Sequence, residues 1–228
     1  MKTTRSIRTL IVIVIVCVSS LLSSGFTSLP VEEQLIHQLE LGPLSLPVKP
    51  IQQKKITSCG EAAMTMAYNY AYPQVPLKEL DVIAFSMANR YYVDNHPPFT
   101  SPENMVKIAK YYTDDLNEYS ASAVDSGNVT MQEQGLKLLM GKLQNNKPVI
   151  IDVLTHLNNR YSGAHFVLVT GMSMDSKHVG VIMIHYNDPL TAHNESAPWS
   201  GKAGVWNAWQ NNGDPGGAGW WLTISPQE

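Results

Sequence analysis

The hydrophobic pattern of the chain changes period about two thirds of the way along. Between residues 59 and 143 apolar residues recur at intervals of three and four, as on a helix face. From residue 149 they run continuously or alternate, as in strands. The first helix follows Ser58, with Ala62, Ala63, Met66, Ala67 and Tyr70 on a face suited to burial, and Pro73 and Pro76 stop it. Ser58 with Glu61 has the spacing of a capping box, which puts Cys59 at the first helical position. A second helix is predicted over 78–88. After a loop, a third opens at Ser101 and Pro102, carries Met105, Ile108 and Ala109 on one side, and ends near Tyr112. Thr130 with Glu133 marks another capping box before a stripe of Leu136, Leu139, Met140 and Leu143, closed by Asn145 and Asn146. The segments 149–154, 165–171, 179–186 and 219–225 read as strands. Helices first and strands afterwards predict an α+β domain with segregated layers.

Ahead of these elements, Lys2, Arg5 and Arg8 precede a short apolar run, Leu10 to Val18, and then small residues. This is the plan of a secretory signal peptide, with cleavage expected after Gly25. The apolar run is short for a membrane span, so an uncleaved signal anchor is the alternative and the sole membrane association expected. A lipoprotein reading, with Cys17 acylated, is weaker because Val16 precedes it. Residues 26–48 read as a linker or N-terminal arm with one short helix in LIHQLELG, and 49–228 as one globular domain. With 44% hydrophobic and 15% charged residues, the chain suits one sizeable core. Losing residues 1–25 removes three of 16 basic groups and no acid, taking the net charge from −3 to −6. Such a balance has no electrostatic footprint for nucleic acid.

Removal of Cys17 with the signal leaves Cys59 as the one cysteine of an exported chain, where an intramolecular disulfide is impossible. A buried, inert thiol is the bland explanation. The sharper one is a nucleophile, because a helix N-terminus favours the thiolate. Gly60 leaves room for a substrate backbone. Glu61 is a complication, since its charge opposes a thiolate unless the capping box turns it away. A base is needed, and His165 opens a strand whose other residues alternate into the core. An isolated histidine there is more often structural, but 165–171 and 179–187 should pair as an antiparallel hairpin. That brings Asp188, in the turn YNDP, beside His165 as its orienting carboxylate. Gln53, with Gln52 as rival, lies upstream of the nucleophile as a donor to a developing oxyanion.

These residues together resemble the papain-like cysteine peptidases, in the bacterial branch that includes the double-glycine leader peptidases of bacteriocin export. The resemblance rests on Gln53, SCGEAA around Cys59, HFVLVTG from His165, and NDP with Asp188, in that order, and spans roughly Val48 to Pro189. It implies a papain-like fold, with Cys59 as nucleophile, His165 as general base and then acid, Asp188 as orienter and Gln53 in the oxyanion hole. Glu61 stands where the family is expected to have proline. No Walker A pattern or bundle of membrane spans accompanies the motifs, so double-glycine leader cleavage is not carried over. The expected function is a secreted or cell-surface cysteine peptidase acting on a peptide or protein substrate, without metal or organic cofactor. The alternatives are an acyl transferase or amidase on the same triad, and a catalytically impaired module binding peptide or glycan. His185, His193 and Asp188 fit no zinc spacing. The five tryptophans of the C-terminal segment are expected to seal the sheet, with a wall of a substrate groove as the second reading.

Overall fold

The computed structural model describes residues 31–40, 42–93, 99–114 and 124–224. The signal-like segment and its cleavage position lie outside them. The chain divides into two units, Met1–Gln34 and Leu35–Glu228, and the second holds the sheet and the candidate site.

Six helices and nine strands are described: α1 (Val31–Glu40), β1 (Leu44–Ser45), α2 (Cys59–Ala71), α3 (Glu79–Ala88), β2 (Tyr92–Val93), β3 (Phe99–Thr100), α4 (Pro102–Asp114), β4 (Val124–Asn128), α5 (Gln132–Gln144), β5 (Val149–Leu154), β6 (Ala164–Met174), β7 (Ile182–Asp188), β8 (His193–Pro198), α6 (Val205–Gln210) and β9 (Trp220–Ile224). One antiparallel sheet has the order β4-β9-β5-β6-β7-β8, with β1 paired to β6; β2 and β3 form a separate ribbon. Helices and an antiparallel sheet give the expected α+β class.

The first long helix is buried more completely than its pattern implies. Every residue of α2 from Gly60 to Tyr68 is inside, because the helix lies between the sheet (β5, β6, β9) and the helices α3 and α4. Gly60 permits this. A Cβ there would lie 2.7 Å from Met105 Sδ and 3.2 Å from Phe166 Cδ2, so the missing side chain serves helix packing as well as leaving room at the groove.

Neither capping box forms. Ser58 makes no side-chain cap, and its hydroxyl donates instead to Glu79 Oε1 at 2.7 Å, at the start of α3. The oxygen's acceptor role, which a cap would use, is taken by the Lys55 amide of the preceding loop at 3.0 Å. Helix α5 starts two residues later than Thr130, with Met131 at its N-cap, which leaves Glu133 to pair with Lys137 at 3.3 Å. Pro102 does open α4 as expected, with the Ser101 hydroxyl accepting from the Asn104 amide at 3.3 Å.

Six elements carried no readable period, among them β2 and β3, which pair as a ribbon in the stretch expected to be loop. β4 (VDSGN) and β8 (HNESAP) are polar strands at the two edges of the sheet, where one side needs no apolar residues. β1 lies in the stretch expected to be an arm, yet it joins β6, and Leu46 and Val48 beyond it are buried. Helix α6 carries two of the tryptophans; Trp199, Trp206 and Trp209 pack over Gly135 of α5, where a Cβ would come within 2.9 to 3.2 Å of their rings. Trp209 Nε1 donates to the Trp220 carbonyl at 2.6 Å. The tryptophans therefore close the core, as the first of the two readings had it.

The β6–β7 hairpin forms, with an irregularity that matters for the site. Leu168 pairs with Asn187 and Val169 with Tyr186, but Gly171 pairs with His185, so Thr170 is an extra residue on β6. Near the start of β6, the shifted register sets Asp188 one step beyond the Leu168–Asn187 pair, opposite Val167. His165 and Val167 share a face, as alternate residues of a strand. Without the bulge Asp188 would lie opposite Leu168, on the other face from His165.

Candidate active site

Cys59 is the first residue of α2 and is half-buried. At this position the N–H groups of the first turn have no partner within the helix, and the helix dipole favours negative charge on the sulfur. Its thiol and the His165 imidazole line the same cavity, close enough for each to act on the other's charge. The ring's Nε2 lies 2.7 Å from Asp188 Oδ1, which leaves Nδ1 as the nitrogen available to the thiol. Asp188 Oδ1 also accepts from the Leu190 amide at 2.8 Å, and this second donor fixes the carboxylate.

The electrostatics follow from this geometry. Burial alone would push the His165 imidazole down. The hydrogen bond to Asp188 and the nearness of Cys59, with the attraction of both groups for positive charge, reverse this and lift it to about 10. Burial pushes the Asp188 carboxyl up, but the His165 contact and the Leu190 amide outweigh it and hold the group below its usual range.

Glu61 does not turn back toward Ser58. It is fully buried, and its Oε1 accepts from the Thr100 hydroxyl. Burial raises its pKa, opposed by Thr100 and helped by the charge of Glu79. The hold of Thr100 on the side chain keeps it from Ser58, and burial disfavours its charged form, and both reduce its opposition to a thiolate at Cys59.

The loop before the nucleophile is fastened from two sides. Glu79 Oε1 accepts from the Lys54 amide at 2.8 Å as well as from Ser58, and the Gln53 amide donates to the Pro189 carbonyl at 2.8 Å, next to Asp188. The Gln53 side chain lines the same cavity as Cys59 and His165. Its Nε2 donates to the Lys55 and Ile56 carbonyls, at 2.9 and 2.7 Å, while its Oε1 is buried without a donor among the described residues. Gln52 is exposed and does not line the cavity.

That cavity, about 570 Å³, is a groove running past Cys59 and His165. Its walls are Phe99 and Thr100 on one side, the loop after β5 with Arg160 on another, and residues 212–215 on a third. The C-terminal segment does wall the groove, through Asn212 and Asp214, whereas none of its tryptophans does. Nothing local in sequence singled out these residues or Asp152 behind them. Asn187 of the NDP turn holds the arm: its Nδ2 donates to the Val48 carbonyl at 2.9 Å. His185 bonds to the Ser173 hydroxyl at 2.8 Å, and no cluster suited to a metal ion occurs among the described residues.

A thiol, an imidazole and a carboxylate in series at the edge of a groove can carry nucleophilic acyl transfer, with the imidazole moving protons between nucleophile and leaving group. Residues 45–214, which include all four predicted site residues, match the model of a family described as Peptidase_C39 like family. No curated protein matches the chain.

Proposed function

The chain belongs to the Peptidase_C39-like family and has its papain-like α+β fold, and from that premise we propose that it is a secreted cysteine peptidase acting through Cys59, His165 and Asp188. The Cys59 thiolate attacks the peptide carbonyl. His165, as imidazolium, gives its proton to the departing amine, and an acyl thioester is left on Cys59. A water molecule, deprotonated by His165, then hydrolyses the thioester. Asp188 holds the ring and supports its positive form throughout. The Cys59 backbone N–H and Gln53 serve the oxyanion, Gln53 exchanging one of its loop carbonyls for it. Export rests on the basic and apolar N-terminal segment.

The observation that supports this reading best is that Cys59 and His165 line one groove of peptide-sized volume, with His165 Nε2 bonded to Asp188 behind them. An inert buried cysteine needs neither the histidine and its carboxylate nor the groove. The test is alkylation of the native protein by iodoacetamide across pH. Cys59 should react well below pH 8, and His165→Ala should abolish that preference. Labelling confined to denatured protein overturns the proposal. Cleavage of a peptide library by the native chain and not by Cys59→Ala then establishes hydrolysis; intact low-pH labelling without cleavage points to acyl transfer onto an amine instead.

A further inference from the structure

Behind the groove lies a carboxylate that the proposed chemistry does not use. Asp152 stands in β5, a strand buried at every position, and neither of its carboxylate oxygens makes a hydrogen bond of good geometry among the described residues, although the His165 backbone and the Asp214 carboxyl lie near it. It is 0% exposed. Its side chain is turned toward the loop that forms the third wall of the groove. A Cβ on Gly217 would lie 2.3 Å from Asp152 Oδ2 and 2.8 Å from Asn212 Oδ1, so that loop folds over the carboxylate only because residue 217 is glycine. Asn212 pins the loop there, with Nδ2 donating to the Asp152 carbonyl at 2.7 Å and Oδ1 accepting from the Asp214 amide at 3.0 Å.

Asp214 completes the arrangement. Its carboxyl sits against that of Asp152, and it lines the cavity together with Cys59 and His165. Two carboxyls in contact resist double ionisation, which favours retention of a proton on one of them. Burial, and then the neighbouring Asp214, push Asp152 well above the usual carboxylate range, and burial pushes Asp214 up as well. Arg160 and His165 line the same cavity, and a substrate cation would compete with them for the pair.

We propose that Asp214, backed by Asp152, is a cation-selecting subsite of the groove that takes an organic ammonium or guanidinium group of the substrate. The cation displaces the retained proton, and the second carboxylate charge becomes available to it. A lysine or arginine side chain and a free N-terminal amine offer the same chemistry. The inference rests on the groove being a substrate site, as in the peptidase reading, but it needs no turnover. The charged groups that bear on the pair are His165, whose positive form favours ionised Asp152, and Arg160 on the facing loop of the groove. Affinity for a cation should therefore rise with pH as the pair gives up its proton.

The test uses the full chain carrying Cys59→Ala, which cannot react, titrated by NMR with three small amides. These are Nα-acetyl-lysine methylamide (side-chain cation), norleucine methylamide (terminal cation) and Nα-acetyl-norleucine methylamide (neutral). One of the cations should bind at least about tenfold more tightly than the neutral analogue, a contribution ordinary for a charge-assisted hydrogen bond. Which cation binds identifies the source. The preference should grow as pH rises and vanish in D214N. Equal binding of all three, or a preference that survives D214N, overturns the subsite. The ligand comparison needs no change at Asp214, so it stands even where D214N fails to fold. Loss of catalytic labelling with the preference intact would sink the peptidase reading and leave this one standing.

Discussion

Replacing Asp188 with asparagine isolates the electrostatic half of the site. The amide has the same shape, and its oxygen can still accept from His165 Nε2–H and from the Leu190 amide, so the perturbation is one of charge. The rise of the imidazole from its ordinary 6.5 to about 10 corresponds to about 5 kcal/mol in favour of the imidazolium. A unit charge 2.7 Å away contributes on the order of 6 kcal/mol at an effective dielectric of about 20, before desolvation is subtracted. Asp188 is therefore large enough to supply much of the rise, with Cys59 supplying the rest. Removing its charge while keeping the hydrogen bond should cost roughly 3 kcal/mol, or about 100-fold in proton affinity. The signs set a pH window. A raised imidazole contributes stability that is complete below its ordinary 6.5 and is lost as pH rises through about 10. A lowered carboxyl contributes stability present above its ordinary 3.8 and lost as pH falls through its folded value. The stability cost of D188N should thus be greatest between pH 3.8 and 6.5 and shrink on either side. The assay is an NMR titration of the His165 ring proton in native protein and D188N, with urea unfolding across the same pH range. A His165 titration moved by less than about half a pH unit, or a stability loss independent of pH, refutes the reasoning.

Two further substitutions probe how the site is held. Glu79→Ala removes the acceptor for the Lys54 amide and the Ser58 hydroxyl; it should cost about 1–3 kcal/mol in urea unfolding and slow Cys59 alkylation, while Glu79→Gln, which keeps an acceptor, should recover part of both. Gly171→Ala places a Cβ 2.6 Å from the Leu44 carbonyl oxygen, a backbone atom that cannot swing aside. It should cost about 1–3 kcal/mol and speed hydrogen exchange at the Leu46 amide, which donates to the Thr170 carbonyl; unchanged exchange there would mean that β1 is not what the glycine accommodates.

Local pattern and chain order were sufficient for the frame of the site. The helical spacing after Ser58 put Cys59 at a helix start, and the apolar runs at 149–154 and 165–171 were strands because continuous apolar sequence of that length has few other ways to be buried. The hairpin brought His165 toward Asp188 because antiparallel strands joined by a short loop must lie end to start. The rest depended on competitions between groups far apart in the chain. Ser58 and Glu61 have capping-box spacing, yet the Ser58 hydroxyl donates to Glu79 and accepts from the Lys55 amide, and Thr100 binds the Glu61 carboxylate, so neither side chain turns to the helix start. The bulge at Thr170, which sets Asp188 on the face of His165 and not on the opposite one, leaves no mark on the hydrophobic period of β6. Asp152 looked like one polar residue in an apolar strand. Only the fold, which brings Asn212 to it across 60 residues and Asp214 against its carboxyl, makes it part of a groove wall.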